Sequence, residues 1–400
     1  GDYQIFSGDG DVRGLHKLIP QWFGAKADGK TDDTKAFQKT LNSFPDAGFW
    51  YGCPRECNVL VLRGAYAVTS LLAESSNLAI QSENAWLIAA ETGSYPYLIK
   101  FTKHFCSITG YLSIDGNYNI DYDCMININS RHFTVNNVVI WRAKLGWLFG
   151  NREWAEKPSP VQYELGDSEN TLNGCATVHC IRGVELVGTE TIIVFNNCLI
   201  YSYPWTLPES DPRKQAWEAE DATVVRSLGA MVYFTGCKLC NFTPAWPIIE
   251  VQPLKNTNKQ YYSKYGAAFL FNCHMEGGNF FAAVNPKKIP TQSWKGVPVE
   301  QQSISLSLIS CGGYVSSNVV PINTDPLFTG SIVVQNCNFY TDLLGGPAYK
   351  SSTFARIGNP AAPVKIDNLS LRNNYLNGLS AIEGGMVLFE DRVIFESRKS

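Results

Sequence analysis

Hydrophobic and polar residues alternate in short segments through the second half of the chain, and the segments repeat in register. The repeat is marked, at spacings of 39, 36, 38, 26 and 37 residues, by Cys198, Cys237, Cys273, Cys311, Cys337 and Asn374. An apolar residue stands five residues before each marker, and another stands three residues before it. The residue directly before each marker is Asn, Gly or Ser. The pattern predicts two strands that meet at a bend, with the marker and the apolar side chains pointing inward.

Repeats of this length with variable loops are typical of a solenoid. Coils stacked about 4.8 Å apart form a parallel β-helix, with ladders of like side chains inside it. A β-sandwich is the alternative, because its strands also alternate. It gives no reason for a bend residue to recur in register, so the pattern favours the solenoid.

Composition and charge narrow the function classes. Hydrophobic residues make up 45% of the chain and charged residues 17%, which suits a long core and argues against disorder. The net charge of -3, with no basic run longer than two residues, excludes a nucleic-acid groove. No apolar stretch reaches about 18 residues, so we expect no membrane insertion. We expect no cofactor.

The chain has twelve cysteines, and the ladder predicts that most are buried as small hydrophobes. Cys237 and Cys240 form a CxxC pair, but residues i and i+3 of a strand face opposite sides, so they predict neither zinc nor a disulfide. Cys53 and Cys57 lie in a predicted loop and are able to pair. Free thiols favour assembly inside a cell.

Residues 23–41, FGAKADGKTDDTKAFQKTL, predict a turn at Asp28-Gly29 followed by a helix. Thr31 or Asp32 is expected to cap the helix, and Asp33 complements its dipole. The aspartates are therefore predicted as caps and not as metal ligands. The stretch also lacks the glycine spacing and the lysine of a phosphate-binding loop.

This stretch resembles the opening motif of the pectate-lyase superfamily of right-handed parallel β-helices. VLVLRGAYAVTS (59–70) and LSIDGNYNI (112–120) are similar to two further coils, and CHMEG (273–277) resembles a phrase found in phage tailspikes and capsular polysaccharide depolymerases. The resemblance implies an all-β, single-stranded right-handed parallel β-helix with a short N-terminal capping helix. We expect an N-terminal arm over 1–20, the capping segment and helix over 21–45, the β-helix with binding loops over 46–380, and cap strands over 381–400.

The same resemblance implies the partners and the location. It points to a homotrimer in the tail of a phage virion, assembled in the host cytoplasm and acting outside the cell. The substrate implied is a bacterial surface polysaccharide, a capsule or a lipopolysaccharide O-antigen.

Candidate site residues follow from extending the ladder to the third residue after each marker. Parity places this column on the outer surface, where aromatic rings suit sugar rings: Tyr201, Cys240, Glu276, Tyr314, Tyr340 and Asn377. Glu276 is the first candidate for a catalytic acid or nucleophile, and His274 shares its outward side. The alternative is an ordinary solvated surface.

Glycoside hydrolysis usually needs two carboxylates. Glu250, in PAWPIIEVQP one coil earlier, is the predicted partner of Glu276, because an apolar run would raise its pKa toward that of a general acid. Asp221 in an acidic loop ranks third. The alternatives are an outward structural glutamate and a solvated loop aspartate.

Long insertions between strands are expected to build the binding face. Trp205 in one of these insertions, Trp246 near Glu250, and Lys238 beside the column are predicted to bind substrate. The leading prediction is an endo-acting glycoside hydrolase that uses paired carboxylates.

Two rival classes stay open. A polysaccharide lyase would use His274 or Tyr314 as base and Lys238 or Arg226 to neutralise charge, and an adhesin would bind the same glycan without turnover. A sugar-ester deacetylase is weaker, because the chain has no Gly-x-Ser-x-Gly nucleophile elbow.

Overall fold

The structure is a computed structural model. It describes residues 4–8, 12, 15–45, 58–152, 169–188, 191–202, 207–241, 246–252, 265–277, 281–283, 303–315, 321–324, 330–341, 353–357, 364–366, 368–376, 381–384, 386–388 and 393–397. Trp205, Asn377 and the cysteines at 53 and 57 lie outside these residues.

The described strands form three parallel faces of a solenoid. Faces 1 and 2 belong to one 22-stranded sheet and are separated by the bend, and face 3 is an 11-stranded sheet. Every described pairing between these strands is parallel and joins one coil to the next, as in the pairs Val232↔Ala268, Leu239↔Met275 and Ile249↔Phe281. The all-β parallel β-helix predicted from the repeat is therefore confirmed.

The bounds of the strands follow the three faces. Face 1 contains Lys17–Leu18, Asn58–Leu62, Thr134–Asn136, Asn170–Asn173, Ile192–Asn196, Met231–Thr235, Tyr265–Phe271, Ser303–Ile309, Gly330–Gln335 and Val393–Ser397. Face 2 contains Asp28–Asp32, Ala65–Val68, Val138–Trp141, Ala176–Cys180, Leu199–Ser202, Lys238–Asn241, His274–Gly277, Gly312–Val315 and Asn338–Thr341. Three strands cross the bend and belong to both faces: Leu78–Ala89, Ser107–Asp115 and Asn368–Leu376.

Face 3 completes each coil. It contains Leu71–Ala73, Ile99–Phe101, Ile126–Ile128, Leu145–Gly150, Arg182–Val187, Val225–Leu228, Ile249–Gln252, Phe281–Ala283, Ile322–Thr324, Thr353–Ile357 and Ala381–Gly384. A separate parallel pair is formed by Val364–Ile366 and Met386–Leu388.

The bend between faces 1 and 2 has the same backbone conformation in coil after coil. Its residue takes a φ between +52° and +64° at Asn137, Asn197, Gly236, Asn272, Ser310, Asn336 and Asn373. Asparagine and glycine tolerate this left-handed region better than other residues do. The recurring Asn, Gly or Ser before each marker is thus explained by the backbone, as predicted.

The marker cysteines line the inside of the solenoid, as predicted, and are at most 3% exposed. Each thiol donates to the carbonyl of an inward residue in the preceding coil, for example Cys237 to Phe195 at 3.3 Å and Cys273 to Phe234 at 3.4 Å. At the sixth marker Asn374 replaces cysteine and donates to the carbonyl of Val334 at 2.9 Å. A small side chain with a weak donor therefore suits this position because it satisfies a carbonyl at the bend.

The predicted N-terminal helix runs over Thr34–Asn42 and buries Phe37 and Leu41 against the solenoid core. Asp32 accepts from the amide of Thr34 at 2.9 Å, and Asp28 accepts from the amides of Lys30 and Thr31. Asp33 is buried and accepts from the amides of Lys26 and Ala27. The three aspartates thus fix the turns at this end of the fold. A 3₁₀ helix, Pro20–Phe23, precedes them.

One insertion covers part of face 3. It carries the helix Arg213–Glu218, whose Trp217 is fully buried and packs with Ile181, Leu207 and Ala222. This small core lies outside the solenoid and shields neighbouring side chains of face 3 from water. Among the described residues, no helix is both long and apolar enough to cross a membrane.

Candidate functional site

The outward column predicted on face 2 is present in the structure. Its members are direct register partners across five coils: Tyr201, Cys240, Glu276, Tyr314 and Tyr340. With about 4.8 Å between neighbouring strands, the row spans about 19 Å along the solenoid. A surface of this length is able to contact several successive sugar residues.

Glu276 lies at the centre of the row and has three polar partners. The Nε2 atom of His274 lies 2.7 Å from its Oε1, and the Nζ of Lys238 lies 3.2 Å from the same oxygen. Cys240 donates its thiol to Oε2 at 3.5 Å. The arrangement follows from the strands, because His274 and Glu276 are two residues apart on one face and Lys238 is the register partner of His274.

The electrostatics of this group keep Glu276 ionised. Burial would raise its pKa, but hydrogen bonds from His274 and Lys238 outweigh burial and hold the pKa of Glu276 below its usual range. Burial opposes the charge of Lys238 as well, yet Glu276 raises the pKa of that lysine. Burial raises the pKa of the Cys240 thiol, and the neighbouring Glu276 adds to the effect. A carboxylate in this state suits a nucleophile or a base better than a general acid.

The site is open to solvent, and aromatic rings flank it. The side chain of Glu276 is 22% exposed, and those of Lys238 and His274 are each 40% exposed. Lys238 lies 5.9 Å from the ring centroid of Tyr201, and the ring of His274 meets that of Tyr314 edge-on at 5.8 Å. Charged groups at the centre of an aromatic row are the features expected of a carbohydrate site.

Glu250 lies on face 3, whereas Glu276 lies on face 2. It is buried, and its Oε1 accepts from the Nε of Arg226 at 2.8 Å and from Gln252 at 2.5 Å. The prediction of an apolar environment for Glu250 is therefore wrong. Gln252 on the same strand supplies an amide, and Arg226 on the preceding strand supplies a guanidinium. The structure does not place Glu250 beside Glu276 in one column.

Asp221, the third candidate, joins Glu250 through Arg226, whose Nη2 pairs with Asp221 Oδ2. Arg182 also contacts Asp221 Oδ2, at 3.0 Å. Burial would raise the pKa of Asp221, but Arg182 and Arg226 outweigh burial and lower it. Asp221 is thus held as an ion, and it shares the guanidinium of Arg226 with Glu250.

The cluster extends to a residue that the sequence prediction missed. Glu185 is the register partner of Arg226, is almost fully buried, and pairs with Arg152 at 2.5 Å and Arg182 at 2.7 Å. Three arginines therefore balance three carboxylates. Glu185, Arg226 and Glu250 form one column along face 3. Aligning the face 3 strands with one another in the sequence would have shown this alternation of charge.

Of the two tryptophans, only Trp246 lies within the described residues. It packs against the small core around Trp217, next to face 3, and its carbonyl accepts from Asn241 at 2.9 Å. The structure thus groups Tyr201, Lys238, His274, Tyr314 and Tyr340 around Glu276. It places Trp246 next to face 3, against the small core around Trp217.

The solved structures that resemble the chain include two from phages. ORF18 of Geobacillus virus E2 matches with a TM-score of 0.53 and 13% sequence identity, over 90% of this chain and 61% of that protein. The tailspike protein gp49 of Acinetobacter baumannii bacteriophage Fri1, described as a capsular polysaccharide depolymerase, matches with a TM-score of 0.51 and 10% identity, over 98% of this chain and 69% of the tailspike. The chain shares their parallel β-helix fold. No family model and no curated protein matches it in sequence.

These likenesses establish the fold. The chain spans less than two thirds of the length of the Geobacillus virus protein. Identities of 10% and 13% carry no residue roles across to this chain.

Proposed function

We propose that this protein is a tailspike-like depolymerase that cleaves a bacterial surface polysaccharide, capsule or O-antigen, as an endo-acting glycoside hydrolase. The observation that carries the proposal is the partly exposed face 2 row, in which Glu276 sits between Cys240 and Tyr314 with His274 and Lys238 on its carboxylate. The fold shared with a phage depolymerase supports it by analogy. A homotrimer in the virion tail, acting outside the host cell, is part of the same proposal.

In this proposal Glu276 is the ionised nucleophile or base, and His274, whose Nε2 lies 2.7 Å from its Oε1, is its acid–base partner. Lys238 holds the carboxylate in its charged form and binds substrate oxygens. Tyr201, Tyr314 and Tyr340 carry neighbouring sugars along the row. The chain of a polysaccharide would lie along the solenoid axis, because the row does.

We assign Asp221 and Glu250 a structural role in this proposal. Their oxygens are bound by Arg226 and Arg182, and Asp221 stays charged, so neither is a suitable proton donor. The pairing of Glu276 with Glu250 that the sequence predicts is replaced by the pairing of Glu276 with His274.

A lyase is the second candidate, and one observation favours it. The partners of Glu276 Oε1 are a histidine and a lysine, which are the base and the charge neutraliser that β-elimination from a uronate needs. Elimination leaves an unsaturated sugar that absorbs ultraviolet light, and hydrolysis does not.

The test is a digestion screen of purified capsules and O-antigens with wild type, Glu276→Gln and the matched control Glu250→Gln. Reducing ends and ultraviolet absorbance are followed together, and thermal unfolding checks each variant. The hydrolase is supported if wild type and Glu250→Gln release reducing ends without a rise in ultraviolet absorbance and Glu276→Gln releases none. Release with absorbance selects the lyase.

Two results contradict different parts of the proposal. If release survives Glu276→Gln, the assignment of the site to Glu276 is wrong and the proposed function stands. Binding of a matched glycan without release by wild type makes the protein an adhesin.

A further inference from the structure

The outward surface of face 2 has a gap next to Glu276. The outward column that contains Lys238 and His274 continues to Gly312 and Asn338 in the next two coils. Gly312 has no side chain, and the strands of His274 and Asn338 on either side of it lie about 9.6 Å apart, which is two strand spacings. We call the space over Gly312, between the side chains of His274 and Asn338, the Gly312 hollow.

The backbone does not require a glycine at this position. A Cβ on the neighbouring Gly313 would lie 1.7 Å from the carbonyl oxygen of Met275, so that glycine is needed for packing. At Gly312 the only described atom that a Cβ would meet within 4 Å is the carbonyl oxygen of Asn338, at 3.2 Å, and a small shift relieves that contact. Glycine weakens the interior of a strand and often stands where a ligand approaches the backbone. The missing side chain at Gly312 therefore indicates space for a ligand.

The walls of the hollow are held in place by hydrogen bonds. The Nε2 atom of His274 lies 2.7 Å from Glu276, and Asn338 donates from Nδ2 to the hydroxyl of Tyr340, also at 2.7 Å. The ring of Tyr314 closes the side toward face 3. It meets the ring of His274 edge-on and lies 6.0 Å from that of Tyr340. Walls that are fixed before binding lower the entropy cost of holding a ligand.

The charge beside the hollow restricts the group that it accepts. The pKa of Glu276 lies below its usual range, so this wall carries a negative charge, and the charge of Lys238 is already paired with it at 3.2 Å. A carboxylate or sulfate on a sugar would meet a like charge there. A hydroxyl group is too small to replace a missing side chain. A neutral substituent larger than a hydroxyl satisfies both conditions.

Asn338 selects among neutral groups by its hydrogen bonds. It is exposed, and Tyr340 accepts one of its N–H groups, which leaves the second N–H as a donor and Oδ1 as an acceptor. A substituent that pairs with both has a carbonyl and an N–H. The acetamido group of an N-acetylated sugar has these two groups, and its methyl is able to contact the ring of Tyr314.

We infer that the Gly312 hollow binds the acetamido group of an N-acetylated sugar next to the bond that is cleaved. The inference rests on the proposed function, because it takes Glu276 as the reacting residue. It adds the class of substrate, a polysaccharide whose repeat contains an N-acetylated sugar. Gly312 and Asn338 are then residues that determine specificity and take no part in the chemistry.

The first test measures binding of small probes to the full chain by saturation-transfer NMR. The probes are the methyl glycosides of N-acetylglucosamine and N-acetylgalactosamine. Those of glucose and galactose, with a hydroxyl in place of the acetamido group, are the matched controls. We expect the acetamido methyl to be the most strongly saturated signal. The hydroxyl controls should bind at least about tenfold more weakly, because they leave Asn338 without its partner.

Two variants locate the binding. Gly312→Val fills the hollow, and Asn338→Leu removes the amide at an exposed position. Each is expected to lower the affinity for the acetamido probes at least about tenfold, with thermal unfolding unchanged for Asn338→Leu. The matched control Ala176→Val introduces valine in the same outward column four coils earlier and should keep full affinity. If Gly312→Val loses stability, Asn338→Leu decides the outcome.

Two results overturn the inference. One is a wild type that does not prefer the acetamido probes to the hydroxyl controls. The other is a folded Gly312→Val or Asn338→Leu that binds the acetamido probes as tightly as wild type does.

Digestion kinetics separate this inference from the proposed function. On a polysaccharide that wild type cleaves, we expect Gly312→Val to raise KM at least about tenfold and Glu276→Gln to abolish release. A cleaved polysaccharide without N-acetylated sugars overturns the inference and leaves the assignment of Glu276 standing. Acetamido binding that Gly312→Val abolishes, with no polysaccharide cleaved by wild type, supports the hollow and contradicts the hydrolase.

Discussion

Faces 2 and 3 both place carboxylates beside basic side chains, yet the two groups differ in solvent access and in the number of their partners. Glu276 on face 2 is partly exposed and shares its oxygens with one lysine, one histidine and one thiol. On face 3, Glu185, Arg226 and Glu250 alternate along the sheet, and Arg152, Arg182 and Asp221 complete a cluster of three carboxylates and three arginines. The first group has room for a ligand, whereas in the second each charge is neutralised by a neighbour.

The comparison teaches how to weigh an outward acid in a solenoid. Buried ion pairs lose much of their attraction to desolvation, so a cluster like that of face 3 gives little net stability while depending on every member. An exposed carboxylate with few partners contributes little to folding and keeps its oxygens available for chemistry.

The largest expected effect is the loss of Arg226. Arg226→Met leaves the buried Glu250 without its guanidinium and removes one of the two arginines that contact the partly buried Asp221, so we expect the free energy of unfolding to fall by about 3–5 kcal/mol. Urea denaturation measures it. The matched control Lys238→Met, at the exposed pair of face 2, is expected to cost about 1 kcal/mol or less. Equal losses would remove the distinction between the two faces.

Removing His274 is expected to affect turnover and not folding. His274→Asn deletes the protonatable neighbour of Glu276, so kcat on a cleaved glycan should fall about a hundredfold. The control is Gln252→Ala, which removes the residue that stands in the same relation to Glu250 on face 3. Wild-type turnover in His274→Asn would leave Glu276 without its proposed acid–base partner.

The contribution of the face 3 cluster to stability should depend on pH. Asp221 and Glu185 have pKa values lowered by arginines against the effect of burial, below their ordinary values of 3.8 and 4.5. Carboxylates with depressed pKa values stabilise the fold above those ordinary values, and the contribution is lost as pH falls through the folded pKa.

The gap in unfolding free energy between wild type and Arg226→Met should therefore be full at neutral pH and narrow by about 1 kcal/mol or more below about pH 4. Thermal unfolding across this range measures the gap. A gap that is independent of pH would mean that Arg226 acts through packing alone.

The smallest effect is expected at Cys240. Cys240→Ala removes a weak donor 3.5 Å from Glu276, so the pKa of Glu276 should rise slightly. We expect the acid limb of the pH–rate profile to move to higher pH and turnover at neutral pH to change less than about threefold. Complete loss of turnover would place the thiol in the chemistry.

Much of the fold was predictable because it rests on local rules. The period of the markers, the left-handed bend residues and the inward apolar positions all follow from strand parity and backbone sterics, and all were confirmed. The same parity predicted the column of Tyr201, Glu276, Tyr314 and Tyr340. Its members keep a constant offset from a marker, so loop length does not affect them.

Glu250 shows where such reasoning ends. Parity indicates an outward residue but not which of the three faces it occupies, and Glu250 follows a connection between faces 2 and 3 whose length is independent of the bend. Its neighbours Arg226 and Asp221 come from the preceding coil, 24 and 29 residues earlier in the chain. The apolar residues next to Glu250 in the sequence predicted a raised pKa. Its carboxylate instead contacts Arg226, which lies on the neighbouring strand.

The sequence by itself determined the repeat, the bends, the inside and outside of each strand, and the row that contains Glu276. These features depend on residues within a few positions of one another, where covalent geometry sets the outcome. Only the tertiary structure decided which carboxylates share a guanidinium and which outward face is buried by an insertion. Those properties join residues 20 to 40 positions apart, and their distances are set by how the coils stack.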